Sequence, residues 1–181
     1  AYKEWFGIGA GVMNYLAVPE FPEDTKGTQF VLGGGIIMQA DLQRFRPITS
    51  HQDDYLLQNT RESVAHAWYE GKEPRHPWQG ETKPKYTDFQ PDKRYTWCKA
   101  PRLDGVPMQV GPVAQILVSY TAGNPRVRRS VDAVNAQLGI TLRDYHSTMG
   151  RLLARGLRTR IMAELALEYL DRLIANLAAG D

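Results

Sequence analysis

The sequence predicts a mainly α fold with small β elements: long helices of a large helical bundle, an aromatic- and Pro-rich ordered loop, and a short β-hairpin. Three observations carry that expectation. From Thr141 to Ala179 apolar residues recur mostly at steps of three and four, the helical repeat. Pro74, Pro77, Pro84, Pro91, Pro101 and Pro107 alternate with Trp78, Tyr86, Phe89, Tyr95 and Trp97, a composition unlike that of a flexible linker. Phe30-Val31-Leu32 and Ile36-Ile37-Met38 flank three glycines, which reads as two strands around a turn.

Taken in order, Tyr2 to Ala17 has a roughly helical apolar spacing interrupted by Gly7, Gly9 and Gly11, and Pro19 and Pro22 end any helix there. The glycine-flanked hairpin follows. Residues from about Asp53 to Tyr69 read as a helix, with Asp53 or Ser50 as its N-cap. From Glu70 the long loop begins, pinned by its rings and shaped to pack on a larger body. Gly111-Pro112 then opens a helix with Pro in its first turn, and Asn124-Pro125 caps another that Gly139 closes near Leu138. Thr141 caps the last pattern, which Gly150 or Gly156 interrupts. Roughly 35 residues at ~1.5 Å each make a rod of about 50 Å, too long to bury its stripe inside a small domain. The whole reads as one partial domain over 1–181: a mixed α/β segment 1–69, an ordered loop 70–110 and a long-helix segment 111–181.

Composition excludes several function classes. An apolar fraction of 43% with 9 Tyr, 5 Phe and 4 Trp excludes intrinsic disorder. With 22 Lys and Arg against 20 Asp and Glu the net charge is +2, which argues for no nucleic-acid partner. No stretch approaches the ~18 uninterrupted apolar residues of a membrane span, and no signal peptide is visible. The lone Cys98 rules out an internal disulfide, and by itself builds neither a structural zinc site nor an iron–sulfur cluster. The ends, Ala1 and Gly180-Asp181, read as cut from a longer chain.

The remaining constellations favour bland readings. Gly7-Ile8-Gly9-Ala10-Gly11 lacks the third glycine and the preceding strand of a dinucleotide fingerprint, and reads as a small-residue helix face. His51, His66, His76 and His146 contain no pair at the three- or four-residue spacing that one helix offers a metal. His66 is expected on a helix, hydrogen-bonded and partly buried, and His76 exposed in the loop. Cys98 is expected as a small buried hydrophobe. Arg151, Arg155, Arg158 and Arg160 form a basic face, solvated or else an interface with another chain or domain.

Between residues 60 and 123 a set of words carries more. Glu62-Ser63-Val64-Ala65-His66-Ala67-Trp68-Tyr69-Glu70-Gly71 is followed by His76-Pro77-Trp78-Gln79-Gly80-Glu81-Thr82, then Tyr95-Thr96-Trp97-Cys98-Lys99-Ala100-Pro101-Arg102, then Met108-Gln109-Val110-Gly111-Pro112. Upstream lie Asn14-Tyr15-Leu16-Ala17 and Lys26-Gly27-Thr28-Gln29, and downstream Ser147-Thr148-Met149-Gly150-Arg151 and Leu173-Ile174-Ala175-Asn176. In this order the words resemble the middle of the large subunit of nickel–iron hydrogenases, in the membrane-associated uptake group.

The resemblance implies a parent enzyme that oxidises H2 at a nickel–iron centre and passes electrons to iron–sulfur clusters in a small subunit. It further implies attachment to a membrane cytochrome through partner subunits, on the periplasmic face. The family holds its metals with four cysteines, in Arg-x-Cys-Gly-x-Cys and Asp-Pro-Cys-x-x-Cys-x-x-His motifs, and neither motif occurs here. The resemblance therefore implies no catalytic, cofactor-binding or metal-ligating residue in this chain, and no cofactor held by it. Ala100-Pro101-Arg102 is followed by Leu103, not by the glycine that follows the family's metal-facing arginine, so Arg102 does not take that role. The alternative reading is an autonomous, metal-free helical scaffold or binding module derived from the same family.

Overall fold

The computed structural model describes residues 2–180, so the reading of the chain ends, which falls on Ala1 and Asp181, lies partly outside the described residues. Along the chain run β1 (Tyr15–Ala17), β2 (Glu20–Pro22), β3 (Phe30–Leu32), β4 (Gly34–Met38), β5 (Asp41–Ile48), α1 (Asp54–Asn59), β6 (Thr60–Ser63), β7 (Ala100–Leu103), β8 (Val106–Pro107), α2 (Pro112–Thr121), α3 (Pro125–Leu138) and α4 (Thr148–Ala179). Two 3-10 turns, Lys3–Gly7 and Leu142–Tyr145, precede β1 and α4. The architecture is mixed α/β, which corrects the expected large helical bundle. Helix α2 packs on the strands, α3 and α4 pack on α2, and helices and strands share one core.

The sheets explain why. One has the order β1-β4-β5, with Tyr15 opposite Ile37, Ala17 opposite Gly35, and Gly34 opposite Ile48. Tyr15, Ala17 and Ile37 face one core, shared with Ile116, Leu117, Val127, Val131 and Ile161 of the helices. Leu16 and Ile36 point the other way, into a smaller core with Ile48, Leu56, Leu103 and Met108. A strand buried on both faces reads as a continuous apolar run, and Tyr15-Leu16-Ala17 and Ile36-Ile37 are such runs. Helix α2 is sandwiched between this sheet and α4. Its residues from Val113 to Ser119 are all buried, as an apolar helix without a polar face requires.

The expected hairpin around Gly33–Gly35 is a correction. Strands β3 and β4 exist, but β3 pairs with β2, and β4 pairs with β1 and β5. The glycines lie within and beside β4, where a Cβ on Gly34 would come 2.5 Å from Pro19 Cδ and 2.7 Å from the Ile48 carbonyl. They permit close packing across the sheet, and the true hairpin is the next one. It joins β4 to β5 through Gln39 and Ala40, both at positive φ (55° and 56°). This two-residue turn is held by Met13 O, which accepts from Ala40 N at 2.7 Å, and by Asn14 Oδ1, which accepts from Gln39 N at 2.9 Å.

Other boundaries also differ from expectation. Tyr2 to Ala17 is not helical beyond the short turn at Lys3–Gly7. Asp53 caps α1, accepting from Leu56 N at 2.9 Å, but the helix stops at Asn59 instead of Tyr69. Thr60 to Ser63 then pairs with Leu103 to Ala100, so sheet formation wins over helix continuation. Helices α2 and α3 begin at Pro112 and Pro125 as read, and Asn124 caps α3 through Val127 N at 3.0 Å. Gly139 closes α3 at φ 65°. Thr141 caps the 3-10 turn through a capping box with Asp144, and Ser147 caps α4, accepting from Gly150 N at 2.9 Å. Helix α4 then runs unbroken for 32 residues through both Gly150 and Gly156.

Candidate functional site

The residues singled out in the sequence do not converge. Cys98 is exposed, which corrects the expected buried hydrophobe. His66 lies in an exposed loop and not on a helix; its Nδ1 sits 2.7 Å from the Lys93 carbonyl and its ring stacks on Tyr95. His76 is half-buried, with Nε2 2.5 Å from the Leu57 carbonyl. The Gly7–Gly11 run lies beyond the regular helices. At Gly9, with φ 72°, a side chain would strike Thr148 at the start of α4. The basic face is partly spent on internal contacts: Arg151 donates to Gly9 O at 2.7 Å, Arg158 pairs with Glu20 at 3.0 Å, and Arg160 pairs with Glu164 at 2.8 Å. Arg102 sits in β7. Among the described residues no three His, Cys, Asp or Glu side chains come together in a way that could hold a metal ion.

Two further arrangements stand out, and the first of them escapes a reading of the sequence. In the first, the buried Tyr15 hydroxyl meets His146 Nδ1 across 131 residues, and the rings stack at 5.2 Å. Burial pushes the Tyr15 phenol up to about 12, the neighbouring Arg151 pulling weakly the other way. Burial holds His146 below the usual imidazole range, aided by Arg143 and opposed by Asp144. A phenol that stays protonated is the donor, so a neutral His146 accepts at Nδ1 and carries its proton on Nε2. His146 lines a cleft of ≈ 730 Å³ together with Phe6, Met13, Leu42 and Arg143. Nothing local marks the pair in the sequence, since each residue is ordinary in its own segment.

The second arrangement is the loop from Val64 to Lys99. The Arg94 guanidinium knots it by donating to the carbonyls of Ala67, Tyr69 and Gly71. Trp68, Tyr86 and Trp97 then pack together, with centroids 5.1 to 6.1 Å apart. Tyr69 adds an edge contact to Trp97, and the Lys99 ammonium, paired with Glu62 at 2.8 Å, lies 5.5 Å from the Tyr69 ring. These contacts tie the loop together from within. Yet its rings are not covered: Trp78 is 76% exposed and Tyr86 64%. An exposed aromatic surface of this kind is suited to docking.

Comparison with known proteins gives this scaffold its family. The model of the nickel-dependent hydrogenases matches residues 1–181. The Hydrogenase-2 large chain of Escherichia coli (strain K12) is 39% identical over 99% of this chain and 33% of its own length. The quinone-reactive Ni/Fe-hydrogenase large chain of Wolinella succinogenes is 32% identical over 93% of this chain and 31% of its own length. Among solved structures, a variant of the NiFeSe hydrogenase from Desulfovibrio vulgaris Hildenborough aligns at TM-score 0.67 and 27% identity, over 94% of this chain and 34% of that one. The chain thus spans about a third of the length of the relatives it matches. Matched along its whole length, it belongs to the nickel-dependent hydrogenase family and corresponds to part of the large subunit.

Proposed function

We infer that residues 1–181 are the middle stretch of a nickel–iron hydrogenase large subunit, and that the parent enzyme oxidises H2 to two protons and two electrons. The observation that carries this reading is the full-length family match combined with coverage of only a third of each relative. In this reading the stretch is scaffold, with no catalytic, cofactor-binding or metal-ligating residue of its own. Its donor set does not fit a nickel–iron centre, because such metals take soft thiolates, and the chain has one cysteine, on an exposed loop. No step of the reaction is therefore assigned to these residues.

The partners follow from the same reading. A small subunit would carry the iron–sulfur clusters, and a membrane cytochrome would link the enzyme indirectly to the membrane, on the periplasmic face. The quinone-reactive relative supports an acceptor in the membrane. No helix among the described residues is long and apolar enough to cross a membrane. Metal analysis and a dye-reduction assay under H2 test the proposal. The 181-residue chain alone is expected to hold no stoichiometric nickel and to reduce no dye, whereas the complete large subunit with its small subunit does both. Nickel near one per isolated chain, or an inert complete enzyme, overturns it.

A further inference from the structure

Between α3 and α4 lies a cleft of ≈ 350 Å³. Arg126, Arg129 and Ser130 wall it from α3, and Arg160, Glu164 and Glu168 from α4, each set gathered on one side of its helix by steps of three and four residues. Three arginines against two glutamates leave the lining positive. Both carboxylates are engaged. Glu168 accepts from Arg126 Nη1 and Nη2 at 2.7 and 2.8 Å, and Glu164 Oε1 accepts from Arg160 Nε at 2.8 Å. What remains in the cleft is chiefly donors. Arg160 keeps both Nη groups, and Arg129 pairs with no carboxylate among the described residues. Chiefly Arg126, with Arg172 and Arg129 behind it and desolvation opposing, holds the Glu168 carboxyl below its usual range, as a positive field would.

A buried hydroxyl points to the same chemistry. Serine and threonine inside a helix commonly donate back to the carbonyl four residues earlier. Thr121 does so to Leu117 O at 2.8 Å, and Thr159 to Arg155 O at 2.9 Å. Ser130 is only 8% exposed, yet among the described residues its Oγ makes no such bond to Arg126 and has no other partner. A buried hydroxyl left unbonded is costly, and this one belongs to a residue lining a cleft whose neighbours are mostly guanidinium donors. The ligand that such a set selects is an oxyanion. Guanidinium forks match phosphate oxygens in pairs, and a phosphate group offers three oxygens or more to donors arriving from two helices, where a carboxylate offers two.

We propose that the α3–α4 cleft is a phosphate site, in which Arg129 and Arg160 hold the charge and the Ser130 hydroxyl donates to one oxygen. Free phosphate and a phospholipid headgroup share this chemistry. The test titrates inorganic phosphate into the complete large subunit purified with its small subunit, by calorimetry at low ionic strength. Saturable binding is expected, weakened about tenfold or more in Arg129→Gln and clearly reduced in Ser130→Ala, where no charge changes. Arg128→Gln, on the same helix but with its guanidinium on Tyr120, should bind as wild type does. Cosedimentation with phosphatidylcholine vesicles containing phosphatidic acid separates the two sources. Vesicle binding that Arg129→Gln abolishes assigns the site to a lipid headgroup, and calorimetric binding alone assigns it to soluble phosphate. No saturable binding in either arm overturns the proposal, as does binding that Arg129→Gln and Ser130→Ala leave unchanged.

Discussion

The start of α4 offers a substitution whose sign separates packing from propensity. Replacing a mid-helix glycine by alanine stabilises an exposed helix by roughly 0.5 to 1 kcal/mol, because alanine loses less backbone entropy on folding. At Gly156 nothing opposes that gain, since a Cβ there finds open space. At Gly150 the added atom would lie 2.5 Å from both the Asp144 and Tyr145 carbonyl oxygens. Those oxygens belong to the 3-10 turn that delivers Tyr145 and His146 to the core, and they are backbone, so they cannot rotate aside. Over-packing of this kind costs about 1 to 3 kcal/mol. After subtracting the helical gain, Gly150→Ala is expected to destabilise by up to about 2.5 kcal/mol while Gly156→Ala stabilises by up to ~1 kcal/mol. Urea denaturation of the two variants reads the difference as midpoint shifts of opposite sign at an unchanged slope. If Gly150→Ala raised the midpoint as Gly156→Ala does, the close approach of the turn to α4 would be wrong.

Other consequences are smaller or more local. Asp53→Ala removes the cap of α1 and is expected to cost about 1 kcal/mol at neutral pH. Hydrogen bonds from Leu56 N and Arg46 hold this carboxyl below its usual 3.8. Its contribution is therefore present above that value and disappears as pH falls through the lower folded one, so wild type and variant should converge in acid denaturation curves. His146, held below 6.5 by burial, binds its proton less readily in the fold than in the unfolded chain, so stability should decline as pH drops below about 6.5. Equilibrium unfolding across that range should show a weaker decline in His146→Gln. Trp78, 76% exposed in this chain, should be quenched by acrylamide in the isolated protein and protected in the complete subunit. Equal quenching in both would leave the aromatic loop a free surface.

How much of this was legible in the sequence depends on where the deciding contacts lie. Helices α2 and α3 carry their start and stop signals within a few residues, Gly111-Pro112, Asn124-Pro125 and Gly139, and their boundaries follow from those signals alone. Strand pairing is a non-local choice. Gly33–Gly35 resembles a turn because glycine usually marks one, but here it clears space for Pro19 inside a sheet. The real turn, Gln39-Ala40, uses two residues that seldom adopt positive φ, and it is stabilised by Met13 and Asn14 from a distant segment. Residues Asp53–Tyr69 have helical spacing, yet Thr60–Ser63 is claimed by β7, some forty positions further on. The Tyr15–His146 contact belongs to the same class. Family membership was legible for the opposite reason, because it rests on short local words. Cys98 was misplaced because its type is usually buried while its loop folds outward.

Helix α4 shows the limit of periodicity most directly, because both of its faces satisfy the rule. Apolar spacing alone places Leu153, Leu157, Ile161, Leu165 and Leu173 on one interior stripe; the structure buries Leu157, Ile161 and Leu165, leaves Leu153 half-buried, and exposes Leu173 at 54%. What chooses the face is tethering: Thr148 N donates to Ile8 O at 2.9 Å and Arg151 to Gly9 O at 2.7 Å, fixing the rotation of the helix at its first turn. The choice has a measurable signature. In the 181-residue chain Ile161→Ala, at a fully buried site, is expected to cost 2 to 5 kcal/mol, about the whole stability of a marginal domain. Leu170→Ala, at a site 51% exposed, should stay within about 0.5 kcal/mol. In the complete subunit the second value should rise towards the first, because burying a leucine is worth roughly 1.5 to 3 kcal/mol. Chemical denaturation of both variants in both contexts decides. A costly Leu170→Ala in the short chain would mean that the faces are reversed, and a silent one in the complete subunit that the second face stays in water.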